Sequence, residues 1–235
     1  MSTQYEVVDS VLETLHREGI LGHLIIVGSW CTWFYRHHFG EGFRVSPLRT
    51  LDIDIDVNLL RKARAQADIP ALLAPLGFDI LHYNDGSMSL IHPAIKIEFL
   101  VPEKGRGADG PLVLKSFKIT AQPLRFLSLL EEELLVVDYR GMKVKVPSPL
   151  HFALHKLVIS QRRMVKGEKP PRDIRQALEV LNMLYCRGEG PPVAKLTAML
   201  TKKQRGYVAR ALQSVSERDR VEFEALEPLF REWEG

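Results

Sequence analysis

The sequence predicts an α+β fold in which a mixed-sheet N-terminal domain, residues 1–147, precedes an all-helical C-terminal domain, residues 148–235. Two observations support this prediction. The segments with strand patterns all lie before Pro147, and the apolar residues that follow have helical spacing. The boundary itself reads Pro147-Ser148-Pro149, in which Ser148 can cap a helix that has Pro149 at its first position.

The composition is typical of a folded globular protein. Of the 235 residues, 46% are hydrophobic and 26% are charged, and the net charge is +3. Two cysteines, Cys31 and Cys186, are too few for a disulfide framework or a Cys-rich zinc site. The apolar runs are far shorter than the about 20 residues that span a bilayer, so no membrane partner is expected. The first residues lack the regions of a secretory signal, which predicts a cytoplasmic protein.

The first elements are predicted as helix, strand and helix. Residues 5–18 carry apolar side chains at helical spacing, and residues 24–27 form a short apolar run that is typical of a buried strand. Gly28 and Ser29 follow this strand, and a second helix is expected to begin at Trp30. A helix N-terminus at this turn would offer free N–H groups to a phosphate.

Residues 51–57 alternate strictly and predict a strand. Its apolar face carries Leu51, Ile53, Ile55 and Val57, and its acidic face carries Asp52, Asp54 and Asp56. Three like charges on one strand face repel one another, and Asp is depleted in strands. A divalent cation removes this difficulty, because Mg²⁺ binds one or two carboxylates together with substrate phosphates. The alternative is a solvent-facing edge strand without a bound ion.

The remaining elements follow from periodicity and from turn residues. In the N-terminal domain we expect a helix over residues 61–76, strands over 78–82, 88–91 and 94–101, a short helix over 124–130, and a hairpin of 134–137 and 142–146. In the C-terminal domain we expect helices over residues 151–163, 172–185, 193–200, 202–215 and 218–233.

A third acidic residue completes the candidate site. On the strand over 94–101, Ile97 and Phe99 would face the core, so that Lys96 and Glu98 share the opposite face. If this strand lies beside the acidic strand, Glu98 approaches Asp52 and Asp54. Three carboxylates and a phosphate-binding turn suit phosphoryl or nucleotidyl transfer with two metal ions.

These motifs resemble a known superfamily. The order Gly28-Ser29, then Arg49-Thr50-Leu51-Asp52-Ile53-Asp54-Ile55, then Glu98 resembles the nucleotidyltransferase fold that is shared with DNA polymerase β. The Arg-Thr-x-Asp-Ile-Asp form is similar to minimal nucleotidyltransferases and to AbiEii-type toxins of toxin–antitoxin systems. In the helical half, the resemblance extends to His155-Lys156-Leu157, Arg162-Arg163 and Arg172-Asp173-Ile174, and covers about residues 20–185.

The resemblance implies a Mg²⁺-dependent enzyme that moves a nucleoside monophosphate from an NTP to a hydroxyl or phosphate acceptor and releases pyrophosphate. It implies that Asp52, Asp54 and Glu98 hold the metal, and that Glu98 can also act as a general base. The implied nucleotide-binding residues are Gly28, Ser29, Arg49, Thr50 and Lys156.

Several alternatives stay open. The metal pair can be Asp54 and Asp56, although Thr50, two residues before Asp52, favours Asp52 and Asp54. The fold can also serve as a nucleotide-binding regulatory module with weakened catalysis, or as a purely structural α/β protein. Basic stretches over residues 161–175 and 202–210 make RNA, such as a tRNA end, one acceptor. A protein or a small molecule is another candidate acceptor. The toxin resemblance implies a cognate antitoxin as a partner.

Overall fold

Within the described residues, strands and helices alternate in the first part of the chain and only helices follow Pro147, as the sequence predicts. The computed structural model describes residues 3–40, 42–43, 45, 50–57, 66–103, 110–165 and 170–233. The chain divides into two units, the first made of residues 1–40 and 48–147, the second of residues 41–47 and 148–235. The α+β class with a mixed sheet is confirmed, and the assignment of two functional domains stays a prediction.

The first unit contains the described strands and four of the described helices. The strands are β1 (Leu24–Val27), β2 (Asp52–Val57), β3 (Asp79–His82), β4 (Met88–His92), β5 (Ile95–Pro102), β6 (Leu112–Leu114), β7 (Ile119–Leu124), β8 (Leu134–Tyr139) and β9 (Met142–Pro147). The helices are α1 (Gln4–Arg17), α2 (Cys31–Phe39), α3 (Ile69–Leu73) and α4 (Ser128–Glu131).

Seven of the described strands form one mixed sheet. Its main order is β1-β2-β5-β4-β3, and β7 pairs with the last residues of β5 while β6 pairs with β7. The pairs β2–β5 and β5–β7 are parallel, whereas β1–β2, β4–β5, β3–β4 and β6–β7 are antiparallel. Strands β8 and β9 form the predicted hairpin. This order places β2 and β5 side by side at the centre of the sheet.

The period-two alternation of the central strands separates a buried apolar face from a polar one. Ile53, Ile55 and Val57 of β2 are buried, as are Ile97 and Phe99 of β5. Leu51 is an exception, because it precedes the first residue of β2 and its side chain is 65% exposed. The prediction that Leu51 belongs to the apolar face is therefore wrong.

Two regions of the first unit differ from the predicted elements. The helix expected over residues 61–76 begins only at Ile69, because the Ala67 N–H donates to the Ser116 carbonyl at 2.8 Å. Residues 61–65 lie outside the part of the chain that the structure describes. The sequence also does not predict β6 and β7, and the helix expected over 124–130 is α4 instead. Strand β7 depends on its long-range pairing with β5, which no local pattern announces.

The second unit is helical within the described residues, as predicted. Its helices are α5 (Pro149–Val165), α6 (Pro170–Cys186), α7 (Val193–Met199), α8 (Lys202–Gln213), α9 (Glu217–Glu222) and α10 (Glu227–Glu232). Ser148 caps α5 as expected, because its hydroxyl accepts a hydrogen bond from the His151 N–H at 3.4 Å. No helix in the described ranges has both the length and the apolar composition needed to cross a membrane.

The predicted helix over residues 218–233 is interrupted. Phe223 has φ −108° and ψ 45°, which lies outside the helical region, and separates α9 from a short 3₁₀ turn and α10. Pro228 explains why α10 begins anew at Glu227, since proline lacks the N–H of a helix interior but suits the first turn. Hydrophobic spacing alone does not reveal this break.

Candidate functional site

The turn after β1 packs directly against the acidic strand. Val27 pairs with Asp54 across the antiparallel β1–β2 ladder, and Gly28 follows with φ +69°. A Cβ atom at Gly28 would lie 2.2 Å from Asp54 Oδ2, closer than any side chain allows. Position 28 therefore requires glycine for two reasons, its left-handed backbone conformation and the close approach of the Asp54 carboxylate.

Three carboxylates meet on one face of the sheet. In the parallel β2–β5 ladder, Asp54 lies opposite Glu98 and Asp52 lies opposite Lys96. Neighbouring strands are about 4.8 Å apart, and residues in register point to the same side. The structure thus brings together the three residues that the sequence selected, although their chemical roles stay a prediction.

Lys96 connects two of these carboxylates. Its ammonium lies 3.3 Å from Asp52 Oδ1 and donates a hydrogen bond to Glu98 Oε1 at 2.9 Å. Burial lowers the pKa of Lys96, but the hydrogen bond and charge of Glu98 and the charge of Asp52 outweigh it, so that the pKa lies above its ordinary value. Lys96 is therefore a permanent cation within the carboxylate group.

Asp56 belongs to a different environment at the far end of β2. It is fully buried, and its register neighbours on both sides are apolar, Ile25 of β1 and Leu100 of β5. These two residues belong to an apolar cluster that also contains Leu127 and Leu130, beside α4. The polar face of β2 is thus covered at this end by hydrophobic side chains.

The acidic partner of Asp56 is Glu131, the last residue of α4. Burial, followed by the negative charge of the neighbouring Glu131, raises the pKa of Asp56 to about 8. Burial also raises the pKa of Glu131. Two carboxyl groups in contact in an apolar environment favour sharing one proton, because both cannot be charged at low cost. This arrangement favours Asp52 and Asp54 over Asp54 and Asp56 as the metal pair.

At the opposite, open end of β2 lie Asp52 and Asp54, together with Glu98 of β5. These residues match the chemistry of a magnesium ion. Carboxylate oxygens are the hard ligands that Mg²⁺ takes, and Asp54 Oδ2 occupies the space that a Cβ atom at position 28 would need. Among the described residues, no three His, Cys, Asp or Glu side chains already have the arrangement of a metal site. Asp52 and Glu98 instead converge on Lys96. The donor set therefore fits the ion in chemical kind, while the Lys96 ammonium lies beside two of its carboxylates.

The other predicted nucleotide-binding residues have distinct positions. Ser29 is half-buried in the turn that follows β1, where its carbonyl accepts a hydrogen bond from Thr32 Oγ1 at 2.8 Å. Thr50 Oγ1 accepts a hydrogen bond from the Asp52 N–H at 3.3 Å, which orders the start of β2. Arg49 lies outside the described residues.

Lys156 lies in the helical unit as one member of a buried ion pair. Its ammonium donates a hydrogen bond to Asp173 Oδ1 of α6 at 2.8 Å, and the two side chains are only 8% and 4% exposed. The ammonium that is predicted to contact phosphate is thus already paired with the Asp173 carboxylate. The side chains of Arg162 and Arg163 lie outside the described part of the chain.

Two residues of this region have contacts that sequence reasoning does not find. The sequence places Lys96 on the same strand face as Glu98 but indicates no role for it. The spacing of two residues between Lys96 and Glu98 is the sequence signal from which their contact could have been predicted. Glu131 stands in the sequence only as part of an acidic run. No local signal links Glu131 to Asp56, because their contact joins α4 to the centre of the sheet.

Comparisons with known proteins concern the family and the fold of this chain. A family model described as Nucleotidyltransferase matches residues 6–217. An antigenic nucleotidyltransferase-like protein from Paracoccidioides brasiliensis is 13% identical, with 95% of this chain and 94% of that chain covered and a TM-score of 0.51. The structure of ANT(2")-Ia in complex with adenylyl-2"-tobramycin is 14% identical, with coverage of 89% and 99% and a TM-score of 0.50. At these identities the likeness concerns the fold. A search of curated proteins found no match.

Proposed function

We propose that this chain, which belongs to the nucleotidyltransferase family, transfers a nucleoside monophosphate from an NTP to a hydroxyl or phosphate acceptor. One observation carries the proposal. Asp54 lies in register with Glu98 and directly against the Gly28 turn, so that the carboxylates lie beside the turn that we propose as the phosphate site. This combination suits phosphoryl-transfer chemistry, which needs charge stabilisation and positioning more than a covalent intermediate.

The proposed metal ligands are Asp52, Asp54 and Glu98. When bound there, Mg²⁺ would stabilise the negative charge that develops on the attacking and leaving oxygens. The chain's own contribution is to hold the three carboxylates on two adjacent strands, where the backbone rather than flexible loops sets their spacing. The hydrogen bond from the Asp52 N–H to Thr50 Oγ1 supports this geometry at the start of β2.

The turn at Gly28 and Ser29 is the proposed phosphate site. Backbone N–H groups at the start of a helical segment lack internal partners, and the helix dipole favours an anion there. Gly28 allows the backbone to approach Asp54 closely, so a phosphate bound at this turn would share the site with the carboxylates. Arg49 and Lys156 remain proposed phosphate contacts on the basis of the motif resemblance.

Glu98 is the proposed general base. It would take the proton of the acceptor hydroxyl as the acceptor oxygen forms its bond to the α-phosphorus. The bond from that phosphorus to the bridging oxygen breaks, and pyrophosphate leaves with the electron pair. Lys96 limits the freedom of Glu98, because it holds the carboxylate by a hydrogen bond of 2.9 Å.

The class of acceptor is a separate proposal. Lys202, Lys203 and Arg205 are exposed at the start of α8, which supports an RNA acceptor. One structural neighbour, ANT(2")-Ia, was solved in complex with an adenylylated tobramycin, which makes a small hydroxyl compound a second candidate acceptor for this chain. An AbiEii-type toxin role with a cognate antitoxin rests on the motif of residues 49–55 alone. A regulatory module with weakened catalysis is the remaining alternative.

The proposal is tested by label transfer from each of the four NTPs to bulk RNA and to a small-molecule fraction, with Mg²⁺ and with EDTA. We expect Asp54→Asn to lower transfer on the order of 10³-fold, because a stabilising charge is lost from the reaction centre. Asp79→Asn on the exposed edge strand β3 is the matched control and should keep full transfer. Transfer that persists in EDTA or in Asp54→Asn would contradict the proposed mechanism. Thermal shift with NTP separates nucleotide binding without turnover, which indicates the regulatory module.

A further inference from the structure

The ammonium of Lys96 occupies an unusual position for a surface lysine. It lies 3.3 Å from Asp52 Oδ1 and 2.9 Å from Glu98 Oε1, and its side chain is only 31% exposed. Lysine ammonium groups are strongly hydrated and usually extend into water. Here the backbone register places the ammonium inside the group of carboxylates that the proposed function assigns to the metal.

The register makes this position a consequence of the fold. Lys96 lies opposite Asp52 across the β2–β5 ladder, and Glu98 follows two residues later on the same face. A side chain at position 96 therefore faces both carboxylates, whatever its identity. A positive charge at this point reduces the repulsion among the acidic side chains, as a bound divalent cation would.

We propose that Lys96 is the internal counter-cation of this site: its ammonium pairs with Asp52 and Glu98 when no metal ion is bound and competes with a divalent cation for them. The inference rests on the proposed function, because it concerns the same carboxylates. A metal ion alone must displace the ammonium from two carboxylates. A metal ion that arrives with a nucleotide brings phosphate ligands that offset this cost. Lys96 therefore couples metal loading to nucleotide binding.

The experiment measures Mn²⁺ binding by electron paramagnetic resonance without nucleotide, in the wild type and in Lys96→Met. Methionine keeps an unbranched stem and removes the charge. We expect the variant to bind Mn²⁺ roughly fivefold more tightly, as the loss of two partly exposed ion pairs implies. In EDTA its melting temperature should fall below that of the wild type, and Mn²⁺ should restore it. Lys96→Gln provides the same comparison if the methionine variant folds poorly.

Lys118→Met is the matched control. Lys118 pairs with Asp68 at 2.7 Å on the exposed surface, so this variant loses the same charge away from the site. Its Mn²⁺ affinity should equal that of the wild type.

The outcomes separate this inference from the proposed function. If Lys96→Met and Lys96→Gln bind Mn²⁺ no more tightly than the wild type, or if Lys118→Met gains as much, the counter-cation role is wrong. The proposed transfer activity still stands in that case, because Asp54→Asn tests it independently. If neither the wild type nor the Lys96 variants bind Mn²⁺ and no NTP supports transfer, both proposals are overturned.

Discussion

The two ends of β2 carry the same residue on the same face, yet they differ in their chemistry. At the open end, Asp52 is 47% exposed and lies near the Lys96 ammonium. At the covered end, Asp56 is fully buried and its acidic neighbour is Glu131. Asp52 therefore lies beside a cation, while Asp56 has a pKa of about 8 and keeps its proton at neutral pH.

This difference arises from what covers the strand, since the strand itself is regular throughout. Leu100, Leu127 and Leu130 cover the face at Asp56, whereas the polar residues Lys96 and Glu98 flank the other end. An aspartate row thus serves two purposes: one end suits a charged ligand and the other forms a buried contact to α4. The alternation of aspartate with apolar residues is the same at both ends of β2.

After Asp54→Asn, the largest effect we expect comes from Gly28→Ala, whose added Cβ would enter the space that the Asp54 carboxylate occupies. The added Cβ would meet Asp54 Oδ2 at 2.2 Å, so the carboxylate must move away from the turn. Transfer should fall about 10²-fold, because a misplacement of about 1 Å at the reaction centre is enough to disrupt positioning. The left-handed backbone adds about 1–2 kcal/mol of destabilisation.

Gly141→Ala is the matched control for this change. Gly141 has φ +79°, and no atom lies within 4 Å of an added Cβ, so the control keeps the backbone strain and lacks the clash. Urea unfolding and NTP transfer measured on both variants separate strain from displacement. Equal transfer by the two variants would show that the Gly28–Asp54 contact does not matter for the reaction.

An intermediate effect is expected for Asp56→Asn, as a change in pH dependence. The pKa of Asp56 in the folded protein, about 8, lies above the ordinary value of an unfolded aspartate. The folded state therefore holds the proton more tightly, and wild-type stability falls as pH rises from about 4 through about 8. Asparagine cannot ionise, so Asp56→Asn should gain at least about 1.4 kcal/mol relative to the wild type between pH 6 and pH 9.

Urea denaturation at these two pH values, followed by circular dichroism, measures the gain. Transfer activity provides the companion measurement, and Asp56→Asn should retain it while Asp54→Asn loses it. Loss of transfer in a folded Asp56→Asn protein would support the Asp54–Asp56 metal pair instead.

The smallest effect is expected for Asp68→Asn, an acid on the exposed surface. Hydrogen bonds from the Lys118 ammonium and the Ala71 N–H lower the pKa of Asp68. Its contribution to stability is present above the ordinary aspartate pKa and is lost as pH falls through the folded value, the opposite sign to Asp56. The melting temperature at neutral pH should change very little, because exposed ion pairs contribute little. A large change in that temperature would contradict this assignment.

Much of the fold was predictable because it depends on local patterns. The spacing in α1, the alternation in β2 and the cap at Ser148 all act over a few residues, and the structure has each of them. Strands β6 and β7 were missed because β7 forms by pairing with β5 rather than by a pattern of its own. Phe223 leaves the helical region after α9 and Pro228 lies in the first turn of α10, despite a continuous hydrophobic spacing.

The sequence by itself determined the candidate residues, because Gly28, Asp52, Asp54 and Glu98 follow from spacing and residue type. Only the tertiary structure decided how the aspartates differ. The β2–β5 register brings Lys96 to the open end, and the apolar cluster beside α4 buries Asp56 against Glu131. Both outcomes depend on contacts between distant segments, and burial and charge act through space. Identical residues at identical spacing can therefore acquire opposite electrostatic environments.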